Sequence, residues 1–518
     1  MHPWSDSAEI FRHRRAPGVK SWERWVLGFL LFLGVQSVVA FALWWFRLEH
    51  VNDPALFILL SLATWYGVFR LMVGWYNGFH VEQPAPVPAP PGLPVAIFTT
   101  SAPGEPYEMF VRTLEALRQV RYPHTTYLLD DTRDPRFGAL ARDMGAVHLE
   151  LLGVPGAKAG KINAALKLTN EEFILVLDPD HIPFPEFLDR VLGYFEDPQV
   201  GFVQVSQAYY NPPESFVARA AAEQTFAFYG PIMQGMNGTG TAVAIGANCT
   251  FRRAALESIG GHGIGLAEDL VTSIRLHAAG WKSIYVPEIV SRGLVPSDLD
   301  SLLKQQLKWS RGVHDVLFQE YPRAFRRLSA HQKISYFMIG SYYMVGFTTL
   351  IYLSIPMLFL WVGAQPAAFV LAEYLQHAAP VGFFGAVIYR FLQRWTCDPA
   401  REAGWHWRGT LLKIGSWTVY LKGLLLAIVR ITVPYIPTSK RRRRASFWKL
   451  ARVPIGIVVI SLLTFLWTLF MQLFVLAESE VLITTEVRVG MTAFMIINTM
   501  LMSGRIYAAW VDRERSEE

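Results

Sequence analysis

The sequence predicts a cytoplasmic α/β domain inserted into an α-helical transmembrane bundle of about six spans plus interfacial helices. Three observations predict it. Of 518 residues, 52% are hydrophobic and only 17% charged, with a mean hydropathy of +0.25, which fits a membrane protein carrying a sizeable soluble part. Apolar runs of bilayer length recur near both ends of the chain. Between them, strand and helix patterns alternate, and the strands are continuous apolar runs, as in a mostly parallel sheet covered on both faces.

The net charge of +6 and the pI of about 9.1 fit a basic excess on the cytoplasmic side of a membrane. No zinc finger, RNA-binding signature or basic stripe interleaved with aromatics is present, so nucleic acid is not an expected partner. Cys249 and Cys397 form no ligand-spaced cluster, and nothing indicates a disulfide.

Residues 1–24 form a basic tail with Arg12, Arg14, Arg15, Lys20 and Arg24, expected on the cytoplasmic side of a retained signal anchor. Residues 25–76 form a transmembrane hairpin, Trp25 to Phe46 and Pro54 to Tyr76, with Trp44, Trp45, Trp75 and Tyr76 at belt positions. A proline-rich linker, Gln83 to Pro94, leads into a domain over residues 92–312. Its expected strands are Val95–Thr100, Thr126–Asp130, Phe173–Leu177, Gly201–Val205 and Ser283–Pro287. Its expected helices are Pro106–Val120, Ile162–Leu168, Phe184–Phe195 and Leu270–Ala279. Gly235 to Gly240 reads as a flexible loop, because it joins no strand to a helix.

Residues 313–333 are basic and aromatic and are expected at the membrane surface. Residues 334–392 form a transmembrane pair; its second member contains Glu373 and His377, which fit a shorter span lying beyond them. Residues 409–433 are placed at the cytoplasmic interface, because a span there would put Lys440 to Arg444 outside, against the positive-inside bias. Residues 434–445 hold that basic run and a loop, and residues 453–511 the last transmembrane pair. This puts both termini in the cytoplasm.

Four motifs carry the expected chemistry. Asp130 and Asp131 end a strand, where a carboxylate can accept a ring N–H; the structural alternative is an Asx turn. Asp178 and Asp180 end the most apolar strand, where ligands bind in open α/β sheets; the alternative is a cap on the following helix. Hard oxygen donors there suit a divalent cation that also holds phosphate. Glu268 and Asp269 open a helix, whose N-terminus favours the ionised carboxylate a general base needs; the alternative is a first-turn acid. Gln305, Lys308 and Trp309 lie in a segment that could equally be an interfacial helix.

Thirty-five residues separate Asp269 from Gln305. With that spacing, the order D, D, D, Q-Q-x-K-W resembles the processive family-2 glycosyltransferases, the cellulose, chitin and hyaluronan synthases and their relatives. Lys158-Ala-Gly160 resembles their K-A-G segment, Asp178 to Pro183 their D-x-D-H-x-P, and Gly246 to Arg253 the segment lining the acceptor side. Pro434 to Lys440 resembles their gating loop.

The resemblance implies a GT-A-type catalytic domain and an inverting, processive, UDP-sugar-dependent hexosyltransferase. It implies a growing polysaccharide as acceptor, a β-glucan made from UDP-glucose being the best match. Asp130, Asp131, Lys158, Asp178, Lys308, Thr438 and Lys440 would bind nucleotide, and Asp178 and Asp180 a Mg²⁺ or Mn²⁺ ion. Asp269 would be the catalytic base, and Glu268, Gln305 and Trp309 would bind the acceptor. The setting would be a bacterial inner membrane, with the bilayer itself and an outer-face or periplasmic protein as partners. The chain departs from the family at Lys308, where Arg is usual and a bidentate fork is lost. It also departs at Ala267, in place of Thr, and at Lys161, in place of Asn. A transferase acting on a lipid carrier and a transporter with a nucleotide-sensing domain are the other two readings.

Overall fold

The computed structural model describes residues 7–431, 433–434, 445–475 and 485–514. Its strands are β1 (Arg14–Arg15), β2 (Val95–Thr100), β3 (Thr125–Asp130), β4 (Val147–Glu150), β5 (Phe173–Leu177), β6 (Ile182–Pro183), β7 (Val200–Val205), β8 (Cys249–Arg252), β9 (Lys282–Val286), β10 (Glu288–Ile289) and β11 (Ser291–Arg292). A seven-stranded sheet runs β4-β3-β2-β5-β8-β7-β9. Its pairs are parallel except where β8 lies antiparallel between β5 and β7.

Successive side chains on a strand point to opposite faces, so a strand covered on both sides must be apolar throughout. All five residues of β5 are buried. Leu175 and Leu177 pack with Ile97, Phe110 and Phe137 on one face, and Ile174 and Val176 with Phe98, Phe202 and Phe251 on the other. Each fully buried side chain of this kind contributes roughly 1.5–3 kcal/mol.

The expected strands and three of the four expected helices are present, with ends shifted by a few residues. The exception is 184–195, which forms two short 3₁₀ turns, Leu188–Arg190 and Leu192–Glu196. Its opening backbone groups are engaged elsewhere: Phe184 N–H donates to Val290 O and Pro185 O accepts Arg121 N–H, both at 2.8 Å. In the seven-stranded sheet β4 and β8 lie outside the expected set, as do the two-residue strands β1, β6, β10 and β11 and the helices Pro135–Asp143, Phe216–Glu223 and Arg253–Ser258. Gly235 to Gly240 is not a loop throughout, because Met233–Gly238 is helical. A Cβ on Gly235 would stand 2.0 Å from Asn77 O, and one on Gly238 2.0 Å from His80 O. These glycines let the domain lie directly against the end of the helix Pro54–Phe79.

Among the described residues, five helices are long and apolar enough to cross a membrane: Ser21–Trp45, Pro54–Phe79, Ala330–Val362, Phe447–Phe470 and Val487–Asp512. A sixth is reached only by joining Trp407–Gly415 to Trp417–Ile428 across a 49° bend, in the stretch assigned above to the interface. The helix Leu371–Leu392 is not among the five, and it includes Glu373 and His377 instead of starting beyond them. It nevertheless runs antiparallel along the whole of Ser21–Trp45. His377 stacks on Trp44 at one end, and Arg394, just past the other end, pairs with Glu23 at 3.2 Å.

The N-terminal tail is docked on the domain. β1 pairs antiparallel with β10, setting Arg15 opposite Glu288. The buried Glu288 carboxylate takes Arg15 Nη1 at 2.7 Å and His13 Nε2 at 2.6 Å. Phe11 packs on Phe184 and Tyr210. A second tie runs through Arg292, which is 1% exposed and donates to Asp398 at 3.1 Å in the segment after Leu371–Leu392.

Candidate active site

The carboxyl ends of β2, β3 and β5 lie side by side, and the expected residues gather there. Asp130 ends β3 at 2% exposure with both carboxylate oxygens engaged. Oδ1 accepts Ser101 Oγ–H at 2.5 Å and Thr132 N–H at 2.9 Å, and Oδ2 meets His148 Nε2 at 2.9 Å. Burial alone would raise its pKa, but the hydrogen bonds from Ser101, His148 and Thr132 outweigh it and hold the group below the usual carboxylate range. Asp131, one residue on, is half-buried, and its Oδ1 accepts Gly153 N–H at 2.9 Å. Asp130 therefore shapes the loop, whereas Asp131 Oδ2 accepts no hydrogen bond among the described residues.

Lys158 enters from the first turn of the helix Ala157–Leu166. It is 8% exposed, and its ammonium donates to Asp178 Oδ1 and to Gly246 O. Burial disfavours that charge, yet Asp178, Glu268 and Asp269 together raise its pKa. Glu268 and Asp269 open the helix Glu268–Ala278, both half-buried. Burial, and then the neighbouring Glu268, push Asp269 up to about 7; burial likewise raises Glu268 against the pull of Lys158. The result is a carboxylate that accepts a proton near neutral pH, beside a buried ammonium.

Asp178 and Asp180 leave β5, and His181 follows them. One donor atom from each of the three lies within 4.8 Å of the others. A buried relay fixes the imidazole. Ser291 Oγ donates to Asn248 Oδ1 at 2.7 Å, Asn248 Nδ2 to Gln207 Oε1 at 2.9 Å, and Gln207 Nε2 to His181 Nε2 at 2.7 Å. His181 Nδ1 thus carries the proton and sits 3.4 Å from Asp180 Oδ1, while Leu294 N–H reaches Asp180 Oδ2 at 3.1 Å. Two oriented carboxylates, one already holding an ammonium, fit Mg²⁺ or Mn²⁺ with positions left for phosphate and water. Asp178 and Asp180 would hold it, and His181 would orient Asp180.

Gln305, Lys308 and Trp309 share one face of the helix Leu299–Asp315 at i, i+3 and i+4. Trp309 packs against the apolar cluster that holds Met236, Leu270 and Tyr420, and Lys308 bears electrostatically on Glu268. Thr438 and Lys440 lie outside the described residues. Sequence reasoning missed the relay from Ser291 to His181, the Ser101 and His148 clasp on Asp130, and Lys161. His181 carried a signal as part of the D-x-D-H-x-P stretch, and Lys161 as a departure from the family pattern after Lys158-Ala-Gly160.

Residues 173–375 match the family model described as glycosyl transferase family group 2. That match runs from β5 through the second half of the α/β domain and into the helices that follow it. Among curated proteins, the cellulose synthase catalytic subunit (UDP-forming) of Komagataeibacter sucrofermentans is 27% identical over 392 residues, 73% of this chain and 50% of that protein. Cellulose synthase 2 of Novacetimonas hansenii is 25% identical over 434 residues, 79% of this chain and 26% of that protein. The chain therefore spans half the length of the first and about a quarter of the second. A solved mannosyltransferase of Pyrobaculum calidifontis, in complex with GDP-Man and Mn²⁺, aligns over 73% of this chain and 100% of that one, at 16% identity and a TM-score of 0.49. Over most of its length the chain is similar to cellulose synthase catalytic subunits, and residues 173–375 carry the family-2 glycosyl transferase signature.

Proposed function

We propose that the chain is a membrane-embedded, inverting, processive synthase that builds a β-linked polysaccharide on the cytoplasmic face and passes it outward through its own helices. The donor we assign is UDP-glucose and the product a β-glucan, in keeping with relatives named as UDP-forming cellulose synthases. The single observation that carries this is the gathering, at one end of the sheet, of the Asp178 carboxylate, the Lys158 ammonium that donates to it and to Gly246 O, and Asp269, whose pKa burial and Glu268 push up to about 7. A base of that strength and a cation for the leaving group are what glycosyl transfer needs on one site.

In this reading the acceptor's terminal sugar packs against Trp309 and is oriented by Gln305 and Glu268. Asp269 takes the acceptor hydroxyl proton as its oxygen attacks the anomeric carbon from the face opposite the diphosphate. The carbon–phosphate oxygen bond breaks, UDP departs with the bonding pair, and the α-linked donor becomes a β-linked product. Lys158 and Lys308 neutralise charge developing on the departing diphosphate. A divalent cation on Asp178 and Asp180 supplies further charge neutralisation when bound. Asp131 and Lys158 hold the nucleotide over a loop shaped by Asp130, and Thr438 and Lys440 are assigned to the same nucleotide. The domain and both chain ends lie in the cytoplasm of a bacterial inner membrane, and a protein on the outer face receives the product.

The test is UDP release by the purified full chain with Mg²⁺ or Mn²⁺, offered UDP-glucose, UDP-N-acetylglucosamine, UDP-glucuronate or UDP-galactose in turn. Release with UDP-glucose, accompanied by high-mass product and abolished by Asp269→Asn, is expected. Release without polymer would replace this reading with transfer to a lipid carrier. No release with any donor would sink it.

A further inference from the structure

Lys161 stands where the family carries Asn, and the mechanism above leaves it without a task. It lies three residues after Lys158 on the helix Ala157–Leu166, so both project from one face. Lys158 goes to the diphosphate end of the site, at Asp178 and Gly246. Lys161 goes to the nucleoside end. It is 4% exposed, and its ammonium donates to Ser101 O, one residue past β2. The carboxylates that act on it most strongly are Asp131, Glu105 and Asp130, in that order.

Those three are not equally available. Both Asp130 oxygens are engaged by Ser101, Thr132 and His148. Glu105 Oε2 is engaged by Ala102 N–H at 2.9 Å, which closes its own loop. Asp131 Oδ1 takes Gly153 N–H, and its second oxygen accepts no hydrogen bond among the described residues. An anchored ammonium and a half-open carboxylate thus flank the ends of two adjacent parallel strands.

We infer that Lys161 and Asp131 form a donor–acceptor pair that reads the nucleobase, Lys161 giving a hydrogen bond to a ring carbonyl and Asp131 accepting from the N–H beside it. This rests on the nucleotide-sugar reading proposed above. The edge selected is a carbonyl next to a ring N–H, which uracil presents and which guanine shares. Cytosine presents an amino group and a bare ring nitrogen at the same two positions. The first would face an ammonium and the second a carboxylate, so both contacts turn repulsive. Lys161 is therefore a specificity residue, and the pocket needs it more for choosing the base than for holding the phosphates.

The experiment is calorimetric binding of UDP, GDP and CDP, each with Mn²⁺, to the full chain in nanodiscs, for the wild type and for Lys161→Met, Lys161→Arg and Asp131→Asn. A charge-assisted hydrogen bond is worth a factor of roughly 10–100 in affinity. Wild type should prefer UDP to CDP by about that factor or more. Lys161→Met should cut the UDP:CDP ratio about tenfold, Lys161→Arg should largely keep it, and Asp131→Asn should lower it. The ratio is taken within one preparation, so partial misfolding cancels. If UDP and CDP weaken in parallel in Lys161→Met, Lys161 is only a structural support and the inference falls while the donor assignment stands. A Lys161-dependent preference for GDP over UDP would uphold the pair and overturn the UDP donor. Binding of none of the three by wild type would overturn both.

Discussion

Asp269 lies close to two opposing influences, the Glu268 carboxylate and the Lys158 ammonium, and the first of these together with burial holds its pKa near 7. Its base form is populated above that pH, so turnover should rise with pH through 7 and then level off. Glu268→Gln removes the repulsion and should move the midpoint of that profile down; an unmoved midpoint would show that Glu268 does not act on Asp269. The linkage sign for stability is opposite. A carboxyl whose pKa is raised from 3.8 to about 7 holds its proton more tightly when folded, so its contribution is complete below 3.8 and is lost as pH rises through 7. Asp269→Asn should cut turnover by about 10²–10⁴-fold and leave UDP–Mn²⁺ affinity nearly unchanged, as measured by parallel kinetics and calorimetry. The neighbouring pair Asp130 and Asp131 divides differently. Asp130→Ala should lower thermal stability, leaving Ser101 and His148 without their acceptor at a cost of about 1–3 kcal/mol, whereas Asp131→Ala should mainly weaken nucleotide binding. The sequence marked both as nucleotide ligands with equal weight. Adjacent residues at a strand end point to opposite sides, and which side holds the clasp depends on Ser101 and His148, 29 and 18 residues away in the chain.

At the scale of the element, the loop carrying Asp178 and Asp180 is braced by the β6–β11 pair, in which Ile182 faces Arg292 and Pro183 faces Ser291. Gly293 follows β11, and a Cβ there would come within 2.4 Å of the His181 ring. Gly293→Ala should therefore push His181 off Asp180 and weaken Mn²⁺-dependent UDP binding more than metal-free UDP binding; equal weakening of the two would show that the loop, not the cation site, had been disturbed. The long apolar strands could be read directly, because a strand buried on both faces has only one way to look. β8 could not. Its four residues, Cys249 to Arg252, are shorter than any periodic signal and take their direction from the strands on either side. The segment 184–195 misled for a related reason: its pattern favours a helix, but the Arg121 amide takes Pro185 O, a carbonyl that the first turn would use. The relay to His181 joins residues 181, 207, 248 and 291, and no local pattern links such distant positions.

For the whole molecule, the arrangement of helices follows from the long apolar runs, but the membrane count does not. The helix Leu371–Leu392 runs full length beside Ser21–Trp45 while carrying Glu373 and His377, and the bent pair Trp407–Gly415 and Trp417–Ile428 passes the length and composition test only when joined. Sidedness can be measured simply, because Cys249 and Cys397 are both buried and give a quiet background. In intact cells a membrane-impermeant maleimide should label Leu48→Cys, whose site is 89% exposed in the loop between the first two helices, and should label Arg142→Cys only after lysis. Labelling of Arg142→Cys in intact cells would place the catalytic domain outside.

The pairing of β1 with β10 also fixes an order of assembly. Arg15 leaves the ribosome 273 residues before Glu288, the partner that receives it. Through that interval the first two helices are made and the sheet is threaded, while the tail lacks the strand and the buried carboxylate that pin Arg15. Its docking is thus a late event of biogenesis, and it reports that translation has passed β10. Nascent chains stalled before residue 288 should lose their tails to a protease added to the translation reaction, and chains stalled well beyond it should keep them.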